Sequence, residues 1–505
     1  MNEQRKVIYY AIIIGIVTGG GCVLYKKIID NTEILILNKV YNSITNRLFF
    51  PLIPATGGLI SGLLVYWFAK EAWGHGVPEV LRAMLLRGGI IKSKVGITDV
   101  LASIFTIGSG GSAGRVGPVV QIGATFSSFI TSKVRLEKEV IKSLLAAGAA
   151  GGIAATFNAP LGGIFFALEI FLKDFSMKQF EPVVACAITA SFVSHIFLGD
   201  VPAFKIPPYK VASLTEIPNF LVLGIFTAIF SVIYIKTLGT FESIFLSSKI
   251  PLYIQPFIGG LLTGIIGLYF PRVLGSNYHP IEEAITNSLP LQLCIILIFA
   301  KLIATSFTLG SGGSGGIFAP ALFIGAMLGS IAGKISDMLG FTSHPGAYAI
   351  IGMASFIGAT IHAPFSSIFI IFEMTRNYSL ILPLFTATFV SYGLARFIMK
   401  DSIYTIRLSR EGLNVEELRK KEIFKDIQIS QIMSKKLILL NPEMNLYDLK
   451  EIVKKYPYIE YAVVNDEGKF IGVIGYKEWK RYFLDGKNLK KVKIKDIMRK
   501  RYITV

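Results

Sequence analysis

Charge is scarce in this chain. Over 505 residues, Asp and Glu number 33 and Lys and Arg 51, so charged residues make only 17%, against 52% hydrophobic residues and a mean hydropathy of +0.58. Soluble proteins of this size carry about a quarter of their residues as charges, which excludes a soluble globular fold for most of the chain. Cysteine is rarer still. Cys22, Cys186 and Cys294 stand singly in apolar segments, which excludes a disulfide framework or a cysteine metal site. The net charge of +18 lacks a basic stripe with interleaved aromatics, so a nucleic-acid partner is excluded. Much of that charge lies beyond Lys400, and more flanks apolar runs, as in Lys26-Lys27 and Lys92-Ser93-Lys94. Basic flanks of this kind mark the cytoplasmic side of a membrane and its anionic lipid.

Long apolar runs are what the sequence has in quantity. Ile8 to Leu24, Phe220 to Ile235, Ile254 to Phe270 and Leu380 to Ala395 are each able to cross most or all of a hydrocarbon core of about 30 Å. The chain reads as an all-α polytopic membrane protein. Met1 to Lys6 lead straight into the first run with no small-residue cleavage pattern, the pattern of a retained first helix.

An internal repeat with a period of about 200 residues organises these runs. Residues 108 to 124 read GSGGSAGRVGPVVQIGA and residues 310 to 326 read GSGGSGGIFAPALFIGA. The match continues through Phe157-Asn158-Ala159-Pro160 against Ile361-His362-Ala363-Pro364, and to Glu169 against Glu373, nine residues past each proline. Duplicated halves of a membrane protein pack about a pseudo-two-fold axis and hold the transported species where interrupted helices meet. A Gly-rich run inside lipid needs protein or a water-filled cavity around it, because bare amides there lack partners. Both runs therefore belong at a buried polar centre.

Anions crossing a bilayer exchange hydration for fixed donors, and amides at helix N-termini supply these without full positive charge. Three helix starts combine glycine with a first-turn proline: Gly74-His75-Gly76-Val77-Pro78, Gly114-Arg115-Val116-Gly117-Pro118 and Gly315-Gly316-Ile317-Phe318-Ala319-Pro320. With Tyr404 in SIYTIRL, these segments resemble, in order, the four anion-coordinating motifs of the chloride channel and transporter (CLC) family. FNAPLGGIFFALE and HAPFSSIFIIFEMTRNYSLILP resemble further family segments, so the likeness spans about residues 1 to 410.

The resemblance implies an inverted-repeat fold with interrupted and re-entrant helices, a homodimer with one anion pathway per subunit, and chloride or another small anion as ligand. It implies a central anion held by the amides of Ile317 and Phe318 and by the Tyr404 hydroxyl from the cytoplasmic side. Gly74, His75, Gly76, Gly316 and Ala319 complete that lining, and the amides around Arg115, Val116 and Gly117 hold an outer site.

Three departures from the family pattern bear on mechanism. Val116 stands where the family's gating glutamate competes with the anion, and Ile170 stands where exchangers carry an inner proton-accepting glutamate. Glu169 is one residue off that second position and, a helix turning about 100° per residue, faces elsewhere. Passive conduction is the expectation, with an exchanger using Glu79 or Glu169 as the alternative. His75 replaces the usual serine at a position that tunes anion preference within the family, so chloride is the default by resemblance and nitrate, bromide and fluoride stay open as alternatives. Amides and Arg115 in place of a carboxylate ring argue against cations.

Past Lys400 the chain becomes polar. Ile429 to Met433, a strand-like Leu437 to Leu440, a helix-like Leu446 to Lys455, and apolar Tyr461 to Val464 and Phe470 to Ile474 outline a small α+β unit. Residues 429–485 resemble a cytoplasmic CBS domain after a 406–428 linker, and the pattern restarts at Ile494 as an incomplete second module over 486–505. The membrane domain is expected over 1–405, with halves of about 1–200 and 215–405. Gly475 and Glu478 replace the Ser or Thr and the Asp of nucleotide-binding modules, a poor fit for an adenine nucleotide. A bracing role is at least as strong a reading, and no cofactor or enzyme activity is expected.

Overall fold

A computed structural model describes residues 3–36, 47–74, 76–200, 204, 207, 209, 216–341, 344–418, 437–456, 460–485 and 489–500. The chain divides into two compact units, Met1–Arg419 and Lys420–Val505.

The first unit is helical. Its first half comprises α1 (Glu3–Glu33), α2 (Leu52–Phe68), α3 (Gly76–Leu86), α4 (Ser93–Gly108), α5 (Val116–Thr131), α6 (Lys138–Phe157), α7 (Pro160–Phe166) and α8 (Met177–Leu198). The second comprises α9 (Ile217–Ser247), α10 (Gln255–Tyr269), α11 (His279–Ile285), α12 (Leu291–Gly310), α13 (Phe318–Met338), α14 (Pro345–Ile361), α15 (Pro364–Thr375), α16 (Ile381–Ile398) and α17 (Ile406–Arg410). Seven helices among the described residues are long and apolar enough to cross a membrane. Several shorter apolar helices accompany them, as interrupted spans require. Large apolar side chains such as Phe192, Phe226 and Phe397 stand exposed on α8, α9 and α16, a surface suited to lipid.

The repeat is visible in the backbone. α6 ends on Asn158 and α14 on His362, both in the left-handed region at φ 55° and 56°, and each is followed by Ala-Pro opening the next helix. A π-helical turn, Ala167–Leu172, prolongs α7 and ends on Lys173 at φ 50°; α15 ends on Arg376 at φ 50°. Packing is equally paired. A Cβ on Gly123 would lie 1.9 Å from the Gly148 carbonyl oxygen, and one on Gly325 would lie 2.6 Å from that of Gly352, so α5 meets α6, and α13 meets α14, backbone to backbone.

The two halves also cap each other. Glu169 accepts from the amides of Phe365 and Ser366 at 3.1 and 2.7 Å, closing the start of α15. Glu373 accepts from those of Leu161 and Gly162 at 3.0 and 2.8 Å, closing the start of α7. Each carboxylate satisfies orphan donors at a helix N-terminus, where the macrodipole favours negative charge. The repeat of Glu169 in Glu373 is therefore a structural one, each carboxylate serving the other half.

The membrane unit runs past the expected boundary at residue 405. Ile406 and Leu408 on α17 and Val415 beyond it are buried in the same core, because this segment is apolar on one face despite its basic residues.

In the second unit, β1 (Leu439–Leu440), β2 (Glu460–Val464) and β3 (Phe470–Gly475) form a sheet in that order, β1 parallel and β3 antiparallel to β2. α18 (Leu446–Lys455), α19 (Tyr476–Asp485) and α20 (Ile494–Ile497) complete it around Leu440, Leu449, Val463, Ile474 and Ile494. Residues from Leu489 onward, expected to open a second module, are built into this one: Leu446 N donates to Val492 O at 3.1 Å and Val473 pairs with Arg499. Lys493 and Lys495 both reach Glu443 at 2.6 Å and hold its carboxyl low, at about 2. Ile429 to Met433 lie outside the described residues.

Replacing Glu169 or Glu373 by Ala is expected to cost about 1–2 kcal/mol of stability, by analogy with lost helix caps. A lowered thermal midpoint of the detergent-solubilised protein is the readout. An unchanged midpoint for both variants would show that the reciprocal caps contribute nothing.

Candidate functional site

The two Gly-rich segments meet at the centre of the membrane unit. Gly114 and Gly316 form an isolated antiparallel bridge, each amide donating to the other's carbonyl at 2.6 and 2.7 Å. Extended backbone at membrane depth thereby finds its partner in its own repeat mate.

Past the bridge the chain turns into α5 on one side and α13 on the other. Among the described residues, the amides of Val116, Gly117, Ile317, Phe318 and Ala319 have no acceptor. These donors lie close together: a Cβ on Gly316 would fall 2.6 Å from Gly117 N and 3.3 Å from Val116 N. The absence of a side chain at Gly316 is what leaves that space open. α3 joins them, since a Cβ on Gly76 would lie 2.8 Å from Gly117 O. Three helix N-termini therefore abut, each adding partial positive charge and unpartnered N–H groups.

Phe318 and Tyr404 are both buried, and their rings are held by Phe157 at 5.5 Å and Phe166 at 6.2 Å between centroids. The Tyr404 hydroxyl has no hydrogen-bond partner among the described residues. Ile403 N donates to Thr360 O at 3.1 Å and fixes the backbone there, while Asp401 accepts from Thr405 and Ser409 at 2.9 and 2.8 Å. Tyr404 also lines a cavity of about 410 Å³ with Ile170, Lys173, His362, Arg396 and Lys400 in its wall. Glu169, Asp401 and Glu416 share that wall, so its charges are mixed.

The loop before α3 is held by Arg407, which donates to Trp73 O at 2.7 Å and lies over the Trp73 ring. Gly74 follows with φ +98°, a conformation that favours glycine. His75 lies outside the described residues.

Arg115 is a correction to the expected lining. Its guanidinium pairs with Asp30 at 2.6 Å and Glu33 at 2.9 Å on α1 and donates to Ser276 at 2.9 Å. Its charge is compensated by two carboxylates, so the donors offered around this position are the backbone amides and not the side chain. Val116 is fully buried as the first residue of α5.

Two residues that sequence patterns did not single out lie beside these helix starts. Asp99 on α4 is 2% exposed, and its Oδ1 accepts from the Ser314 hydroxyl, whereas Oδ2 has no partner among the described residues. Gln121 on α5 is 1% exposed with both amide atoms unpartnered. The available signal was an isolated acid inside an apolar run, 202 residues (301 − 99) before a lysine, Lys301, at the equivalent place in the repeat.

In the second unit, Glu478 accepts from Gly475 N at 2.9 Å and pairs with Arg499 at 3.1 Å. The Glu478 carboxylate is thus engaged within its own module.

The family model described as voltage gated chloride channel matches residues 57–396, and that of the CBS domain matches residues 429–485. The H(+)/Cl(-) exchange transporter ClcA of Vibrio parahaemolyticus is 33% identical over 382 residues, covering 74% of this chain and 81% of its own. A ClcB-like protein of Ralstonia nicotianae is 30% identical over 365 residues, covering 71% of this chain and 85% of its own. Among solved structures, a slow cyanobacterial Cl-/H+ antiporter superposes with a TM-score of 0.72 at 24% identity, over 84% of this chain and all of that one, a likeness of fold. A family match across most of the membrane unit, with relatives of this identity aligned over most of their length, settles the membership: the chain belongs to the voltage gated chloride channel family of multi-pass, anion-transporting membrane proteins, with a CBS domain behind its membrane unit.

Proposed function

We propose that this protein conducts anions passively, chloride by default, down their electrochemical gradient. The observation that carries this reading is hydrocarbon at both positions where an exchanger needs a titratable carboxylate: Val116 at the start of α5 and Ile170 in the wall of the cavity beside Tyr404. Neither side chain binds a proton or competes with an anion for the amides. The converging starts of α3, α5 and α13 supply dehydrated donors, and Ile317, Phe318 and Tyr404 hold the central ion between them. His75, between Gly74 and Gly76, tunes anion preference, and the protein works as a homodimer with one pathway per subunit and its CBS domain in the cytoplasm.

The competing reading is a proton-coupled exchanger, favoured by the likeness to the H(+)/Cl(-) exchange transporter ClcA of Vibrio parahaemolyticus. It has to use other carboxylates. Glu169 holds the α15 amides and Glu79 is bound by Arg87 at 2.7 Å, so both are already engaged.

Anion efflux from proteoliposomes under a chloride gradient, with internal pH recorded and the potential clamped, separates the two. Efflux without proton movement is expected; uphill proton uptake driven by the chloride gradient would sink the passive reading. Val116→Glu restores a carboxylate beside the amides. At an effective dielectric of about 20, a charge about 4 Å from the anion costs about 4 kcal/mol, so flux at neutral pH should fall at least about tenfold and recover on acidification. Gly316→Ala places a methyl 2.6 Å from Gly117 N and should abolish most flux while the protein remains monodisperse. Unaltered flux in that variant would move the pathway away from the paired glycines.

A further inference from the structure

We infer that Asp99 is a proton-binding site on the anion path, and that its charge state sets how well anions occupy the amides at the starts of α3 and α5. The inference deepens the anion-pathway reading and rests on it. A Cβ on Gly76 would lie 2.9 Å from Asp99 Oδ2 and 2.8 Å from Gly117 O, which puts the carboxylate within one contact of both helix starts. Ser314, the residue bonded to Oδ1, belongs to the second Gly-rich run. Asp99 thus lies against two of the three segments that supply the donors, α3 and the second Gly-rich run, with Gly76 alone between it and the start of α5.

The internal repeat supplies a control. Lys301, the equivalent residue of α12, is equally buried, yet its ammonium donates to the carbonyl oxygens of Val273 at 2.8 Å and Gly275 at 3.2 Å. Asp99 Oδ2 has no such partner among the described residues. A buried carboxylate oxygen without a donor favours the neutral form, and a proton is the smallest species that relieves it.

The charged neighbours do not replace that proton. Glu79 on α3, across a small cavity shared with Asp99 and Gln121, is a like charge. The basic groups on this side already hold carboxylates: Arg87 and Arg82 pair with Glu79, Arg82 also with Glu411, and Arg407 with Glu242 and Glu411. On the helical turn before α3, Glu71 pairs with Lys92. Tyr25 on α1 is bonded to Ser103 at 2.8 Å. The cavity, about 10 Å³, is on the scale of one water. With the unpartnered amide of Gln121 in its wall, it offers a route by which a proton reaches Oδ2. The proton arrives from bulk water and returns to it, and no other bond changes.

Ionised Asp99 repels an anion from the adjacent amides, and neutral Asp99 does not. Flux is therefore expected to fall at least about threefold as pH rises from about 5 to 9, while Asp99→Asn holds the acidic level throughout. Protonation of His75 would act in the same direction, so His75→Asn is run beside it and should retain the falling limb. Ser314→Ala removes the hydroxyl donated to the ionised form and should move that limb to higher pH. This variant decides the matter if Asp99→Asn does not fold. A wild-type pH profile in well-folded Asp99→Asn, a limb lost with His75→Asn alone, or an unmoved limb in Ser314→Ala would each overturn the assignment. Proton movement recorded in the same vesicles tests the passive reading separately: coupled uptake in the unsubstituted protein would end that reading and leave the comparison of pH profiles standing.

Discussion

Unpartnered backbone donors inside an apolar slab are the constraint on which this structure depends. Every interrupted helix exposes N–H groups that lipid cannot satisfy. The fold answers by bringing the interruptions of its two halves together, so that Gly114 and Gly316 satisfy one another and the amides beyond them face a common space. The remaining donors are then available to an anion. The cost of breaking helices in the membrane and the ability to dehydrate an ion are two aspects of the same geometry.

Small residues make that geometry attainable. Backbone meets backbone at Gly123 and Gly148 and again at Gly325 and Gly352, which draws the helices behind each interruption close enough to hold it in place. The aromatic pairs Phe157 with Phe318 and Phe166 with Tyr404 then fix the groups around the path, leaving the Tyr404 hydroxyl without a competing protein partner among the described residues. Arg407 positions the loop before α3 from a different part of the chain, so the third helix start is coupled to the segment just after Tyr404.

Much of this was legible in the sequence because it is periodic or compositional. The apolar runs, the repeated GSGGS segments and the prolines opening α7, α11, α14 and α15 mark helix starts by residue type alone. Glu169 and Glu373 were recognisable as a repeated pair, but their exchange of partners was not, since nothing local shows that each serves the other half. Asp99 and Gln121 were missed because a single polar residue in an apolar helix has no spacing to reveal it. The charge of Arg115 was misread as lining for the same reason: its partners Asp30 and Glu33 lie some 80 residues away, 115 − 33 = 82 for the nearer. In the second unit, strand and helix positions followed the alternation of apolar residues, whereas the return of Val492 to the start of α18 and of Arg499 to β3 depends on pairings that alternation does not encode.

The exchanged carboxylates also bear on how the chain is made. The amides of Leu161 and Gly162 wait for Glu373, more than 200 residues later, and Glu169 waits for the helix that begins at Pro364. During synthesis the first half therefore cannot complete its own interrupted helix, and must hold the uncapped start of α7, with Glu169 unengaged, until the second half has been inserted. A nascent chain of this kind stays dependent on insertion machinery or on water at the protein's centre almost to the end of its membrane unit.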